Sequence, residues 1–305
     1  MKFKKALISL MTIGAVAGLA MFATGAFFSD TETSTGNTLV AGAIDLKVDN
    51  ECFYNGQACI NGFWGGVPNA SPTPTNTCSC TWEPKDLVEG DLFFDITDIK
   101  PGDYEEDTIS LRVENNESWL CADIHLTSDD DVDCTDPENE AEGVDVCQNN
   151  LPLPNADGDL ADEIRFLWWA DDGDNVLEDG EQTLPGGPLG FLDVSQTVRV
   201  TLADSNDDIW GLEGPIPPGG DTRYIGKAWC FGDITASPRP VGDYPDGPAG
   251  DNNGNGNPGE PEDGGFTCDG SNIGNAAQTD QLTAEISFYA EQARHNDDFL
   301  CNPLP

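Results

Sequence analysis

Runs that alternate apolar and polar residues dominate the chain beyond its first forty positions. Thr108-Ile109-Ser110-Leu111-Arg112-Val113-Glu114 is the clearest, because period two puts Ile109, Leu111 and Val113 on one side of an extended strand. Comparable runs predict strands at 38–48, 91–99, 120–127, 163–170, 196–202, 222–231 and 281–292. The last has the propensity of a helix, but Ile286, Phe288 and Ala290 alternate with Glu285, Ser287 and Tyr289, which favours a strand. Long amphipathic helical patterns are hard to find. Each strand is expected to bury one face, and stacking two such sheets gives an all-β fold. The number and spacing of the strands fit a jelly-roll β-sandwich of about eight strands with long disulfide-braced loops.

Two stretches interrupt the pattern. Residues 49–86 carry four cysteines with Pro68, Pro72, Pro74 and glycine-rich turns, which predicts a disulfide-clasped excursion. Residues 232–280 are poor in apolar residues and dense in Gly, Pro, Asn and Asp, so a solvated loop is expected. Neither has the apolar content to build its own core, and no internal repeat is visible. A single domain over 39–305 is the expectation.

Ahead of it, Lys2, Lys4 and Lys5 precede an uncharged run from Ala6 to Met21, and Thr24-Gly25-Ala26 supplies small residues at its exit. That order predicts a signal peptide over 1–26, cut by signal peptidase after Ala26, with the membrane as a partner only before cleavage. An uncleaved anchor is the alternative, since 6–28 nearly reaches the roughly 20 residues that span a bilayer.

The residues after the exit are Phe27-Phe28-Ser29-Asp30-Thr31-Glu32-Thr33-Ser34, then Gly36-Asn37-Thr38 and Ala41-Gly42-Ala43-Ile44-Asp45-Leu46. They resemble the opening of the TasA/camelysin family of exported biofilm-matrix fibre subunits, which carry a SipW-type signal peptide. Looser similarity to longer, acidic members lies at Ile99-Lys100-Pro101-Gly102-Asp103, at Phe166-Leu167-Trp168-Trp169-Ala170-Asp171-Asp172-Gly173-Asp174 and at Phe288-Tyr289-Ala290-Glu291-Gln292-Ala293-Arg294-His295-Asn296. The resemblance implies a jelly roll that polymerises by donor-strand complementation, with 27–38 of one copy inserting into the next. Phe27, Phe28, Ser29, Asp30, Thr31, Glu32 and Thr33 would form the donor strand, and the partner would be another copy of the chain. The many cysteines and long loops depart from compact members, so no loop role is carried over. The segment itself is Thr-rich and free of proline, with Asp30 and Glu32 as its only charges, which suits a strand.

Charge sharpens this picture. Thirteen Lys and Arg stand against 56 Asp and Glu, a formal net charge of −43, and loss of three lysines with the signal would make the chain more acidic still. Such a surface repels nucleic acid and anionic membranes. It also repels its own copies, so assembly needs screening by salt or divalent cations, or strong main-chain hydrogen bonding.

Ten cysteines, an even number, predict disulfides in an exported chain: Cys52, Cys59, Cys78, Cys80, Cys121, Cys134, Cys147, Cys230, Cys268 and Cys301. Sequence proximity favours Cys52 with Cys59 and Cys134 with Cys147, whereas Cys78 and Cys80 are too near each other to bridge. A zinc site of Cys52, Cys59, Cys78 and Cys80 is the alternative, disfavoured by spacing and compartment.

Two acidic stretches offer calcium ligands, and no other cofactor is suggested. Asp251, Asn253, Asn255, Gly256 and Glu262 match the oxygen-ligand and glycine positions of a twelve-residue calcium loop, although Pro258 and Pro261 fall inside it and no helices flank it. The competing account is chance in an Asn-, Asp- and Gly-rich stretch. Asp171, Asp172, Asp174, Glu178, Asp179 and Glu181 cluster after Trp168-Trp169, where a charged hairpin tip is the competing account. The two tryptophans should point to opposite sheet faces, one into the core and one under a loop or at a subunit contact.

Catalysis finds no foothold. The two histidines, His125 and His295, are far apart in sequence, and neither an HExxH helix nor a Gly-x-Ser-x-Gly elbow is present. The expected function is that of a non-enzymatic structural subunit of a secreted, cell-surface or matrix fibre. The alternative is a monomeric secreted binding module for calcium or glycans. The metallopeptidase activity associated with the camelysin name stands third, without a zinc-peptidase signature.

Overall fold

The longest ladder joins two strands that the alternating pattern anticipates. β7 (Ser118–Asp130) pairs antiparallel with β14 (Gln281–Gln292) in a register that sets Phe288 opposite Ala122 and Ile286 opposite Ile124. Ile286, Phe288 and Ala290 are buried, so the competing helix is not formed. Around this pair runs a four-stranded sheet of order β1-β14-β7-β10, where β1 is Ser29–Thr33 and β10 is Thr197–Ala203. This computed structural model describes residues 29–33, 44–67, 76–133, 135–142, 158–184, 197–212 and 214–302. The proposed signal peptide, Phe27, Phe28, Cys134, Cys147 and the start of the strand expected at 38–48 lie outside the described residues.

The larger sheet is centred on β6 (Tyr104–Glu114), flanked by β2 (Asp45–Tyr54) and β11 (Arg223–Phe231). β11 also pairs with β8 (Ile164–Asp171), which carries β9 (Thr183–Leu184) at one edge. β3 (Gln57–Ile60), β4 (Phe63–Trp64) and β5 (Trp82–Lys85) extend the sheet beyond β2, for eight strands in all. β12 (Asp233–Ala236) and β13 (Phe266–Asp269) form a separate ribbon. Helix is confined, among the described residues, to α1 (Asp136–Glu142), α2 (Leu160–Glu163) and two 3-10 turns. None of these is long and apolar enough to cross a membrane.

One core draws on both large sheets: Leu46 and Val48 from β2, Ile109 and Leu111 from β6, Leu120 and Leu126 from β7, Phe288 from β14. A second, smaller cluster of Tyr104, Trp169, Leu177, Ala228 and Phe266 covers the opposite face of the larger sheet. Adjacent side chains on a strand point to opposite faces, so Trp168 joins the first cluster and Trp169 the second, under the 232–280 excursion.

Four expectations change. The strand expected at 91–99 is irregular backbone, yet Phe93, Phe94, Ile96 and Ile99 pack on the main core. Apolar residues there answer a need for burial, and among the described residues they join no ladder. The 49–86 excursion begins inside a strand: β2 runs through Tyr54 and turns at Asn55-Gly56, both at positive φ, into β3. This is the turn geometry that Asn-Gly favours in a two-residue hairpin. The 232–280 segment is an ordered cover, with Phe266 fully buried, and not a solvated loop. Because of that cover β6 is buried on both faces along most of its length, where one buried face was expected.

The cysteines pair as Cys52 with Cys80, Cys59 with Cys78, Cys121 with Cys301 and Cys230 with Cys268, and no described cysteine is free. The expected Cys52 with Cys59 bridge is therefore corrected. The β2–β3 hairpin brings those two residues together, but the returning segment 78–80 passes both and offers two cysteines at i and i+2. The sulfurs of Cys52, Cys59 and Cys80 do converge, as a zinc site would require, but as disulfides they are not thiolate ligands. Four disulfides imply folding in an oxidising compartment.

Candidate functional site

The part of the expected donor strand that the structure describes lies at the outer edge of the four-stranded sheet. Within the single chain, β1 occupies that edge and pairs antiparallel with β14, Ser29 opposite Glu291 and Thr33 opposite Ser287. Removal of β1 would leave β14 as an edge strand with a row of unpaired N–H and C=O groups, a template for another chain. Of the seven residues expected in the donor strand, Ser29 to Thr33 are these paired residues.

The calcium-like loop folds onto the β2–β3 hairpin. A Cβ on Gly56 would run into the backbone of Gly259, so only glycine permits this approach. Inside the loop Asp251 Oδ2 accepts from Gly256 N at 3.0 Å, Asn253 Oδ1 from Asn255 N at 2.9 Å and Asn255 Oδ1 from Asn257 N at 2.7 Å. These oxygens close the loop by hydrogen bonds. Asp263, one residue beyond the expected Glu262 and fully buried, fastens it by accepting from Asn253 N and Glu260 N. Beneath it Glu106 is buried with neither carboxyl oxygen hydrogen-bonded, and burial, then Asp263 and Asp107, raises its pKa well above the usual range.

In the second acidic stretch, carboxyl oxygens of Asp171, Asp172 and Glu181 lie within 4.8 Å of one another. Asp174 and Glu178 stand outside that group. Asp174 Oδ1 accepts from Val176 N at 3.0 Å, and Glu178 Oε1 accepts from Gly242 N at 2.6 Å. Asp171 is held by Trp169 Nε1 and by the N–H groups of Gly173 and Asn175. Burial raises Asp171 to about 6, Asp174 to about 7 and Glu181 to about 8, with mutual repulsion adding to each.

A third group, Asp131, Glu138 and Asp280, was missed in the sequence because β7, α1 and the approach to β14 meet only in the fold. Its one local signal is the acidic run ending at Asp131. Burial raises Glu138 to about 7 and Asp280 to about 6. Asp280 Oδ2 accepts from the N–H groups of Asp159 and Leu160, at the start of α2.

These raised values fix the sign of a pH effect. The folded protein holds protons that the unfolded chain, with carboxyl pKa values near 4, releases, so their stabilising contribution is complete below about pH 4 and lost as pH rises to about 8. Without divalent ions, the melting temperature is expected to fall between pH 5 and pH 8. Calcium at pH 8 should restore it by taking the place of the protons, and magnesium should do so less well. Thermal melts in chelator, calcium, magnesium and matched salt decide this. A melting temperature that rises over that range, or equal shifts in all three salts, would refute the calcium reading.

The two histidines are placed apart from these groups. His125, on β7, has Nδ1 4.0 Å from Glu285 on β14, while His295 lines a cleft of about 750 Å³ with Asn116, Trp119 and Arg294. Compared with known proteins, the chain matches no protein-family model and no curated protein.

Proposed function

We propose that the protein is an exported structural subunit of a cell-surface or biofilm-matrix fibre, a jelly-roll sandwich that assembles when residues 27–38 of one copy complete the sheet of the next. It works without an active site. The observation that carries this reading is the position of β1: a short strand at the sheet edge, paired among the described residues with β14 alone. Backbone pairing of this kind supplies affinity without relying on surface charge, and so suits a chain whose copies repel one another. The pairing within one chain and the pairing between copies would use the same edge of β14, so exchange requires no new interface.

Deletion of 27–36 is expected to leave the sandwich folded and to abolish filaments, while Phe28→Asp weakens assembly by placing a charge in an apolar groove. Electron microscopy of the mature chain and the deletion, at equal concentration and salt, reads this directly. Filaments of unchanged geometry from the deletion would exclude donation from this end. Absence of filaments from both, in any salt or calcium condition, would favour the second reading, a monomeric calcium-binding module. The raised carboxyl groups of Asp171, Asp174 and Glu181 favour that alternative.

A further inference from the structure

Three ionisable side chains on the core-facing side of the larger sheet have no contact with solvent. They are Glu105 and Asp107 on β6 and Lys227 on β11. Antiparallel register sets Lys227 directly across from Asp107, and Trp229 across from Glu105. Lys227 Nζ rests against Asp107 Oδ2 and lies 3.5 Å from Glu105 Oε2. Despite the contact, neither Nζ nor Oδ2 makes a hydrogen bond of ordinary geometry. The carboxyl groups themselves are held: Asn50 Nδ2 donates to Asp107 Oδ1 at 2.7 Å, and Trp229 Nε1 donates to Glu105 Oε2 at 2.5 Å. The rings of Phe94 and Phe166 stand 5.4 and 6.0 Å from Nζ. An amine, a carboxyl carbon and a second carboxyl acid are thus fixed together in a dry, aromatic-walled site.

We propose that Lys227 and Asp107 condense after folding into an intramolecular isopeptide bond, with Glu105 as the group that transfers protons. Two carboxylates and one ammonium cannot all stay ionised without leaving an uncompensated buried charge. Burial, with Asp107 adding repulsion, raises Glu105 to about 8, so it holds a proton at neutral pH. Burial raises the pKa of Asp107. At Lys227 burial is outweighed by the two carboxyl groups, which raise its pKa as well, so the ammonium is its main form. Transfer of its proton to Asp107 gives the amine and carboxylic acid that react.

Nζ then adds to Cγ of Asp107, forming the C–N bond as the C=O electron pair moves onto oxygen. Glu105 donates its proton to the departing hydroxyl, the C–O bond breaks, and water leaves as the carbonyl reforms. The nitrogen returns a proton to Glu105, which ends as it began. The balance is amine plus carboxylic acid giving amide plus water, with no oxidant, reductant or cofactor. Strand pairing supplies the proximity that makes a condensation unfavourable in water feasible here. The product is neutral, so it removes the buried ion pair and joins β6 to β11 covalently. The reaction occurs once per chain and does not depend on assembly.

Mass spectrometry of the purified folded protein tests this. The intact mass should be lower than that of the fully disulfide-bonded chain by one water molecule. After reduction, alkylation and digestion, a branched peptide should join the segment containing Asp107 to that containing Lys227. Glu105→Gln should fold with the mass of the uncondensed chain, and Asp107→Ala should do the same. Asp107→Asn should lose ammonia and reach the same final mass as the natural protein. A natural protein of uncondensed mass with an unmodified Lys227 peptide overturns the proposal, as does a water loss mapped elsewhere, such as succinimide formation at an Asp-Gly step. Because the natural chain is the primary sample, failure of a variant to fold does not shield the idea.

Discussion

Replacing Cys121 and Cys301 together by alanine is expected to lower unfolding free energy by about 5 kcal/mol, the chain-entropy value for the 180-residue separation they close. The bridge ties the N-terminal part of β7, near Ser118, to the end of the described chain, and both residues are almost fully buried. Cys301 N donates to Asp204 Oδ2 at 3.1 Å, so the terminal segment has a second tether that keeps the native geometry when the bridge is lost. The comparison that gives this meaning is Cys59→Ala with Cys78→Ala, whose separation of 19 predicts about 3 kcal/mol. Denaturant titration of the two double variants measures the difference. Equal losses would show that local packing, and not constraint of the unfolded chain, sets the value of these bridges.

Gly226→Ala is expected to cost about 3 kcal/mol, at the upper end of what overpacking does. Gly226 lies opposite Trp169 in the β11–β8 ladder, and a Cβ there would enter the indole ring. Trp169 is fully buried and cannot swing away. Its Nε1 also donates to Asp171 Oδ1 at 3.1 Å, so displacing the ring disturbs the Asp171, Asp172 and Glu181 group as well. If that group binds calcium, the substitution should weaken the calcium-dependent rise in melting temperature. Adding Trp169→Leu makes room, so the double variant should be less unstable than the sum of the single changes. Strict additivity, measured by denaturant titration, would mean that the ring and the glycine are not in conflict.

The carboxylate groups show why sequence reading reached only part of the candidate chemistry. Asp171, Asp172 and Glu181 fall within one hairpin, and local spacing was enough to single them out. Asp131, Glu138 and Asp280 are joined across more than a hundred residues of chain, in a protein with 56 acids where no single pair stands out. The calcium-like pattern at 251–262 was legible, but its fastening residue, Asp263, and the buried Glu106 beneath it depend on how the excursion lies on the sheet.

Period-two patterning by itself determined the β-rich class and located most of the long strands, because alternation follows from the geometry of one strand and one buried face. The i, i+1 rule likewise split Trp168 from Trp169 before any fold was known. What only the tertiary structure decided is pairing at a distance. Cys52 meets Cys80 because a returning segment crosses the hairpin, and 91–99 stays irregular although its apolar residues are needed in the core. Lys227 finds Asp107 because β11 aligns with β6 in one register out of many. Local sequence carries the preferences of a strand for extension and burial, but which strands become neighbours is fixed by packing the whole chain around one core, and that is a property of no single segment.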